Sequence, residues 1–369
     1  MEVKKILEGS LSRTRFILIV ADAVDPDNLV LVAAAGILNP GARIRLLLSG
    51  RPVNPGVTQT THPTPCREWF NNADPTLSRK LQIRNAARFV KFAERFGVEL
   101  KVFDGGIAPR TLVPHWIHAD ETVVWGDTPP DAETKPLLRS REELAAEILG
   151  ATNPDVYIIT GGPETANLLF FQENPEVMRL VLAEYAMLAN WGSGALMNVG
   201  GERSPYQQFN AACDPVAAMW ILTGAPWPIT MTPTETTKQP GICFNSVEAL
   251  RRALPDTSRA GAIVNLYRVW WDVAELEKRG GIVIYDLCPL FASDPQIGDK
   301  IFETVPVEVL ASTCFPYELT EPGQSAHAHW GEIHFRQYGQ GQSNRFATLP
   351  KLRPGGAQVY MDTLRRICS

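Results

Sequence analysis

The first regular pattern along the chain is an unbroken apolar run, Phe16-Ile17-Leu18-Ile19-Val20. Runs of this length without alternation suit strands covered on both faces, as in a parallel sheet. A polar, acidic turn from Asp22 to Asn28 follows. Leu29 to Ala35 is then apolar throughout, which predicts a buried helix stopping near Gly36 and Pro40. Arg43 to Ser49 predicts the second strand, so the chain opens with a βαβ unit, the unit from which parallel sheets with right-handed crossovers are built. The same reasoning predicts a helix over 85–96, a strand over 98–103, a helix over 142–149 and a strand over 156–160. Further helices are predicted from about Glu164 and over 175–189, the latter with Pro175 in its first turn, and a buried strand over 282–285. Segments 51–80 and 104–138 are interrupted by prolines and predict long loops or insertions. No linker-like break divides the chain. The expected architecture is one domain over 1–369, an α/β fold with a doubly wound, mostly parallel central sheet.

Composition narrows the function classes. The chain is 45% hydrophobic and 20% charged, ordinary for a globular protein. A formal net charge of −5 argues against a nucleic-acid surface, which carries a basic patch or stripe. No uncharged apolar stretch reaches the roughly 18 residues of a membrane span, and the first residues lack a signal-peptide pattern. The six cysteines are scattered without a CxxC pair, which predicts reduced thiols in a cytoplasmic protein. The expected partner is a small-molecule substrate, with neither nucleic acid nor membrane.

Four constellations carry possible chemistry. The turn Asp22-Ala23-Val24-Asp25-Pro26-Asp27-Asn28 joins a buried strand to a helix, the place where open α/β sheets bind ligands. Three carboxylates this close repel one another unless a cation or proton intervenes, and such oxygen clusters suit calcium. The alternative is that Asp25 or Asp27 caps the helix. Gly161-Gly162-Pro163-Glu164-Thr165 is a second strand-to-helix turn, where glycines either admit a ligand or simply turn the chain. In Gln208-Phe209-Asn210-Ala211-Ala212-Cys213-Asp214-Pro215 the amides can grip hydroxyls and Phe209 can stack on a ring, while Asp214 and Pro215 read as an N-cap and first helical residue. His327 and His329 share one face of a strand, ahead of Glu332 and His334. An exposed face explains that spacing better than zinc, since no third ligand is fixed.

These pieces occur in an order that resembles the inosine-uridine preferring nucleoside hydrolases. The acidic turn resembles that family's DxDPGxDDxxAL signature, and Arg84 to Val90 its next helix. Gly162-Pro163-Glu164-Thr165, with Asn174-Pro175-Glu176, resembles its GPLTN…DPE segment. Gln208-Phe209-Asn210 through Asp214-Pro215-Val216-Ala217-Ala218, then Trp227 to Pro233, is similar to EFNxxxDPxAA and WPITMVPLDVT. Cys288-Pro289-Leu290-Phe291-Ala292 resembles HDPLA. The resemblance implies a homo-oligomeric hydrolase, a glycosidase cleaving N-ribosidic bonds with a calcium ion held by aspartates. It implies catalytic roles for Asp22, Asp25 and Asp27, with Asp22 and Asp27 at the metal. Asn28, Glu164, Glu202, Gln208, Phe209, Asn210, Asp286 and Cys288 would line the substrate.

This sequence also departs from the pattern. Asn28 replaces the last signature aspartate, and ungapped the first two fall on Ala21 and Ala23. A one-residue gap brings Asp22 into one of those places. Gln208 replaces a glutamate, Glu202 an asparagine, and Leu287-Cys288 the His-Asp pair beside Asp286. An amide, a thiol and an alanine cannot rebuild the same hard-oxygen cage. A metal-free enzyme repurposed for cyclisation, rearrangement or elimination is therefore a second expectation, and a non-catalytic binding protein a third.

Overall fold

The structure is a computed structural model. It describes residues 13–22, 25–51, 53–54, 74–108, 113–114, 138–189, 208–273, 276–277, 280–312, 332–337 and 346–369. Most of the two long loops, Glu202, His327 and His329 lie outside the described residues.

The chain opens as the apolar pattern predicts: β1 (Thr14–Asp22), α1 (Pro26–Leu38) and β2 (Arg43–Gly50). Next come α2 (Pro75–Arg95), β3 (Leu100–Ile107), β4 (Leu138–Arg139) and α3 (Arg141–Leu149). Helix α2 starts ten residues before its predicted position. Asp74 accepts from the Thr76 and Leu77 amides and Pro75 takes the first helical position, so a capped start holds a first half too polar to show an apolar stripe. A reciprocal Ser140–Glu143 capping box starts α3. Then follow β5 (Pro154–Thr160), α4 (Thr165–Glu173), β6 (Val181–Ala189), α5 (Phe209–Cys213), α6 (Pro215–Gly224) and β7 (Ile229–Pro233). The C-terminal part adds α7 (Ser258–Val273), α8 (Leu287–Ala292), β8 (Phe302–Ser312), β9 (Glu332–Gln337), β10 (Phe346–Leu352) and α9 (Gly356–Cys368).

Two predicted elements are corrected. Residues 175–189 form no helix: Pro175–Leu180 is a 3₁₀ turn, and Val181–Ala189 is a strand pairing in parallel with β5 and β7. Leu, Ala, Glu and Met favour a helix locally, but an open slot between two sheet neighbours outweighs that preference. Of 282–285 only Ile282–Val283 is extended. It pairs antiparallel with Cys243–Phe244, outside the main sheet.

Among the described residues the main sheet has ten strands in the order β9-β8-β10-β7-β6-β5-β1-β2-β3-β4. Neighbours from β4 to β10 are parallel, and β8 runs antiparallel to β10 and β9. The fold is thus α/β with a doubly wound, mostly parallel sheet. Alternate side chains of β1 enter two separate cores. Ile17, Ile19 and Ala21 pack with α1, α2, α7 and α9, whereas Phe16, Leu18 and Val20 pack with α3, α4 and α6. From β1 the chain winds outward through β2, β3 and β4, then returns to β5 on the other flank of β1. The turns leaving β1 and β5 therefore part at a topological switch point, the usual ligand crevice of such sheets.

No disulfide joins Cys213, Cys243, Cys288 or Cys368. Among the described residues no helix is long and apolar enough to cross a membrane.

Candidate functional site

Asp22 is the last residue of β1 and is fully buried. Strand register sets it beside Ser49 of β2, two residues before Arg51. The Asn28 amide donates to Asp22 Oδ1 at 3.1 Å, and the Arg51 guanidinium donates to Asp22 Oδ2 in a short contact and to Asp25 Oδ2 at 3.2 Å. Neither Asp25 nor Asp27 caps α1 with its side chain. Asp25 holds the N-cap position, but its carboxylate turns to Arg51.

The turn after β5 closes onto this group. The amides of Gly161 and Gly162 both donate to the Val20 carbonyl, at 2.8 and 3.2 Å. Glycine is required at both positions by close approach. A Cβ on Gly162 would lie 2.6 Å from the Asp22 nitrogen. One on Gly161 would lie 2.5 Å from Asp286 Oδ2 and 2.6 Å from Asn28 Oδ1. Those two side-chain oxygens thus flank a single point at the floor of the crevice. Both are buried without a hydrogen-bond partner, as is the Tyr267 hydroxyl. Orphaned buried oxygens are rare, and an unexplained one calls for a partner that the chain itself does not supply.

Burial pushes the Asp27 carboxyl well above the usual carboxylate range, and the charges of Asp25 and Asp22 push it further. Asp286 is raised by burial and then by Asp27, Asp22 and Asp25. Burial first, and then Asp27, likewise raise the Tyr267 phenol. Burial works against the charge on Arg51, but Asp22 and Asp25 outweigh it and hold the guanidinium firmly protonated. Buried carboxyls this close cannot all ionise cheaply, and burial together with neighbouring charge makes Asp27 and Asp286 the ones that favour keeping a proton.

The remaining expected residues divide into supports and outliers. Asn210 donates to the Gly161 carbonyl at 3.1 Å and to the Met187 carbonyl at 2.9 Å. Gln208 donates to the same Met187 carbonyl at 3.1 Å and caps α5 by accepting from the Ala211 amide. The Asn210 donor secures the glycine turn, and both amides tie α5 to β6. Asp214 caps α6 as the sequence predicts. Cys288 is fully buried in the apolar core, where burial and then Asp286 push its thiol up. The backbone of Phe209 begins α5, but its side chain lies outside the described residues, as does Glu202. Sequence reasoning missed Arg51 and Tyr267. The available signal for Arg51 was a cation immediately after a buried parallel strand.

Glu164 sits in the glycine turn but points beneath it. Asn167 donates to Glu164 Oε2 at 2.7 Å and to Glu184 Oε1 at 2.9 Å, and Thr160 and Trp227 donate to Glu184. Burial raises both carboxyls, and the charge of Glu184 raises Glu164 further, so the pair retains a proton. Because these folded-state values are raised, the pair's stability is fully present below an unfolded glutamate value of about 4.3 and is lost as pH rises through the folded ones. Glu164→Gln should flatten that decline and raise the melting temperature at pH 8 by the few degrees that about 1–3 kcal/mol represents. Thermal melts across pH test this, and an unchanged slope would count against the shared proton.

The donor set does not fit calcium, which takes about 6–8 oxygens. Both oxygens of Asp22 are engaged, and a cation already lies between Asp22 and Asp25. Among the described residues no group of three or more His, Cys, Asp or Glu is arranged to hold a metal ion.

The sequence profile described as "Inosine-uridine preferring nucleoside hydrolase" matches residues 76–347. The inosine-uridine preferring nucleoside hydrolase from Bacillus anthracis superposes with a TM-score of 0.55 at 11% identity, covering 96% of this chain and 99% of that one. An inosine-guanosine nucleoside hydrolase gives 0.59 at 15%, covering 96% and 98%, and the purine-preferring ribonucleoside hydrolase from Gardnerella vaginalis 0.53 at 14%, covering 96% and 99%. No curated protein matches the chain.

Proposed function

Because the chain belongs to the inosine-uridine preferring nucleoside hydrolase family, we propose that it hydrolyses the N-glycosidic bond of a nucleoside or closely related glycoside in the crevice above β1 and β5. The observation that carries this reading is the pair of unpartnered oxygens, Asn28 Oδ1 and Asp286 Oδ2, either side of Gly161. Donors that would satisfy them are sugar hydroxyls.

Cleaving the bond between the anomeric carbon and the base nitrogen develops positive charge on the sugar. Carboxylates fixed in a buried crevice stabilise that charge without reorganising. Asp286 Oδ2 and Asn28 Oδ1 each accept from a sugar hydroxyl. Asp27, which accepts a bond from the Tyr285 amide, takes the proton from the attacking water. Asp22 positions Asn28 and Arg51 through its two engaged oxygens. Asp25 is the pocket acid most open to solvent, its side chain 34% exposed. One domain over 1–369, a cytoplasmic setting and a homo-oligomer belong to the same proposal.

A panel of purine and pyrimidine nucleosides assayed for reducing-sugar release tests the activity. Turnover of at least one member is expected. No release from any member, with nucleosides still raising the melting temperature, would replace hydrolysis by ligand binding.

A further inference from the structure

We propose that Arg51 is a built-in substitute for a divalent cation, so that the acidic crevice binds its sugar ligand in a metal-independent way. The inference rests on the crevice being the ligand site, as above, but not on the reaction performed there. Arg51 follows β2 directly, and its side chain is 8% exposed. One guanidinium nitrogen donates to both Asp22 and Asp25, so the cation stands at the centre of the acidic turn rather than at its rim. A guanidinium is always charged, loses its hydration more readily than an ammonium and meets carboxylates in a fixed plane, which suits it to a buried bridging place. The substitution of aspartate by amide also has a reason in this arrangement. Asn28 donates to Asp22 Oδ1, which a carboxylate cannot do, and leaves its own Oδ1 unpartnered beside Gly161. The amide and the guanidinium together satisfy Asp22 as a metal would, leaving fewer negative charges for any ion to neutralise.

The test uses the full-length protein without substrate. Purified protein should carry no stoichiometric calcium by elemental analysis. Its melting temperature should be unchanged by millimolar calcium or by a chelator. Arg51→Met, which keeps the volume of the stem and removes the charge, should acquire a calcium-dependent rise in melting temperature. One calcium retained per chain, or a wild-type melt raised by calcium and lowered by chelator, would overturn the proposal. If Arg51→Met does not fold, Arg51→Lys decides: a compact ammonium should keep the protein indifferent to calcium, and a gain of calcium dependence there would refute charge substitution. None of these readouts involves turnover, so the proposed hydrolysis can fail while this stands, and the reverse.

Discussion

Gly161→Ala should abolish turnover and nucleoside binding while the protein still folds, whereas Gly162→Ala should cost more stability. The neighbours of the two missing Cβ atoms set the contrast. At Gly161 the new carbon would meet Asp286 Oδ2 at 2.5 Å and Asn28 Oδ1 at 2.6 Å, the ends of two side chains. Those can rotate, at the expense of the geometry they present to a ligand. A misplacement of about 1 Å in a reacting arrangement costs roughly a hundredfold in rate, and here two contacts move together. At Gly162 the carbon would meet the Asp22 nitrogen at 2.6 Å and the Ala21 carbonyl carbon at 2.8 Å, both backbone of the central strand. Backbone cannot rotate away, so the turn itself must shift, at the roughly 1–3 kcal/mol typical of overpacking. Denaturant melts beside nucleoside titrations separate the two effects. Equal stability losses with binding intact in both variants would show that Gly161 does not face the ligand.

The second large effect is expected from charge removal at Arg51. Breaking a buried ion pair by deleting one partner costs about 3–5 kcal/mol, because the other charge is left without compensation. Arg51→Met strands Asp22, fully buried, together with Asp25. Asp22→Asn alone should be costly for the converse reason. The double variant should lose clearly less than the sum, since the buried Asp22 charge leaves with its partner and only the partly exposed Asp25 remains. A double-mutant cycle by chemical denaturation measures this coupling, and additive losses would mean that the contact contributes little to folding.

The winding of the sheet was legible because β1, β2 and β5 are continuous apolar runs of strand length and α1 follows its strand at once. The helical reading of 181–189 failed because a strand inserted between two others is selected by its neighbours, and its own residues favour a helix. The convergence of the turns was legible to the same degree. The acidic turn, the glycine pair, Asn210 and Asp286 do meet, and the spacing of motifs around strand ends anticipates it. Three features were not. Cys288 and Asp286 are two residues apart, yet one enters the core and the other the crevice, a choice made by the turn before α8 rather than by either side chain. Arg51 pairs with acids 29 and 26 positions away, a contact created by strand register alone. Buried Glu184 was likewise hidden by the helix assignment.

Asn210 grips one carbonyl from the turn after β5 and another near the end of β6. The back wall of the crevice is therefore stitched across two strands by a single amide. The turn after β5 thus cannot shift without carrying the end of β6 and the start of α5 with it.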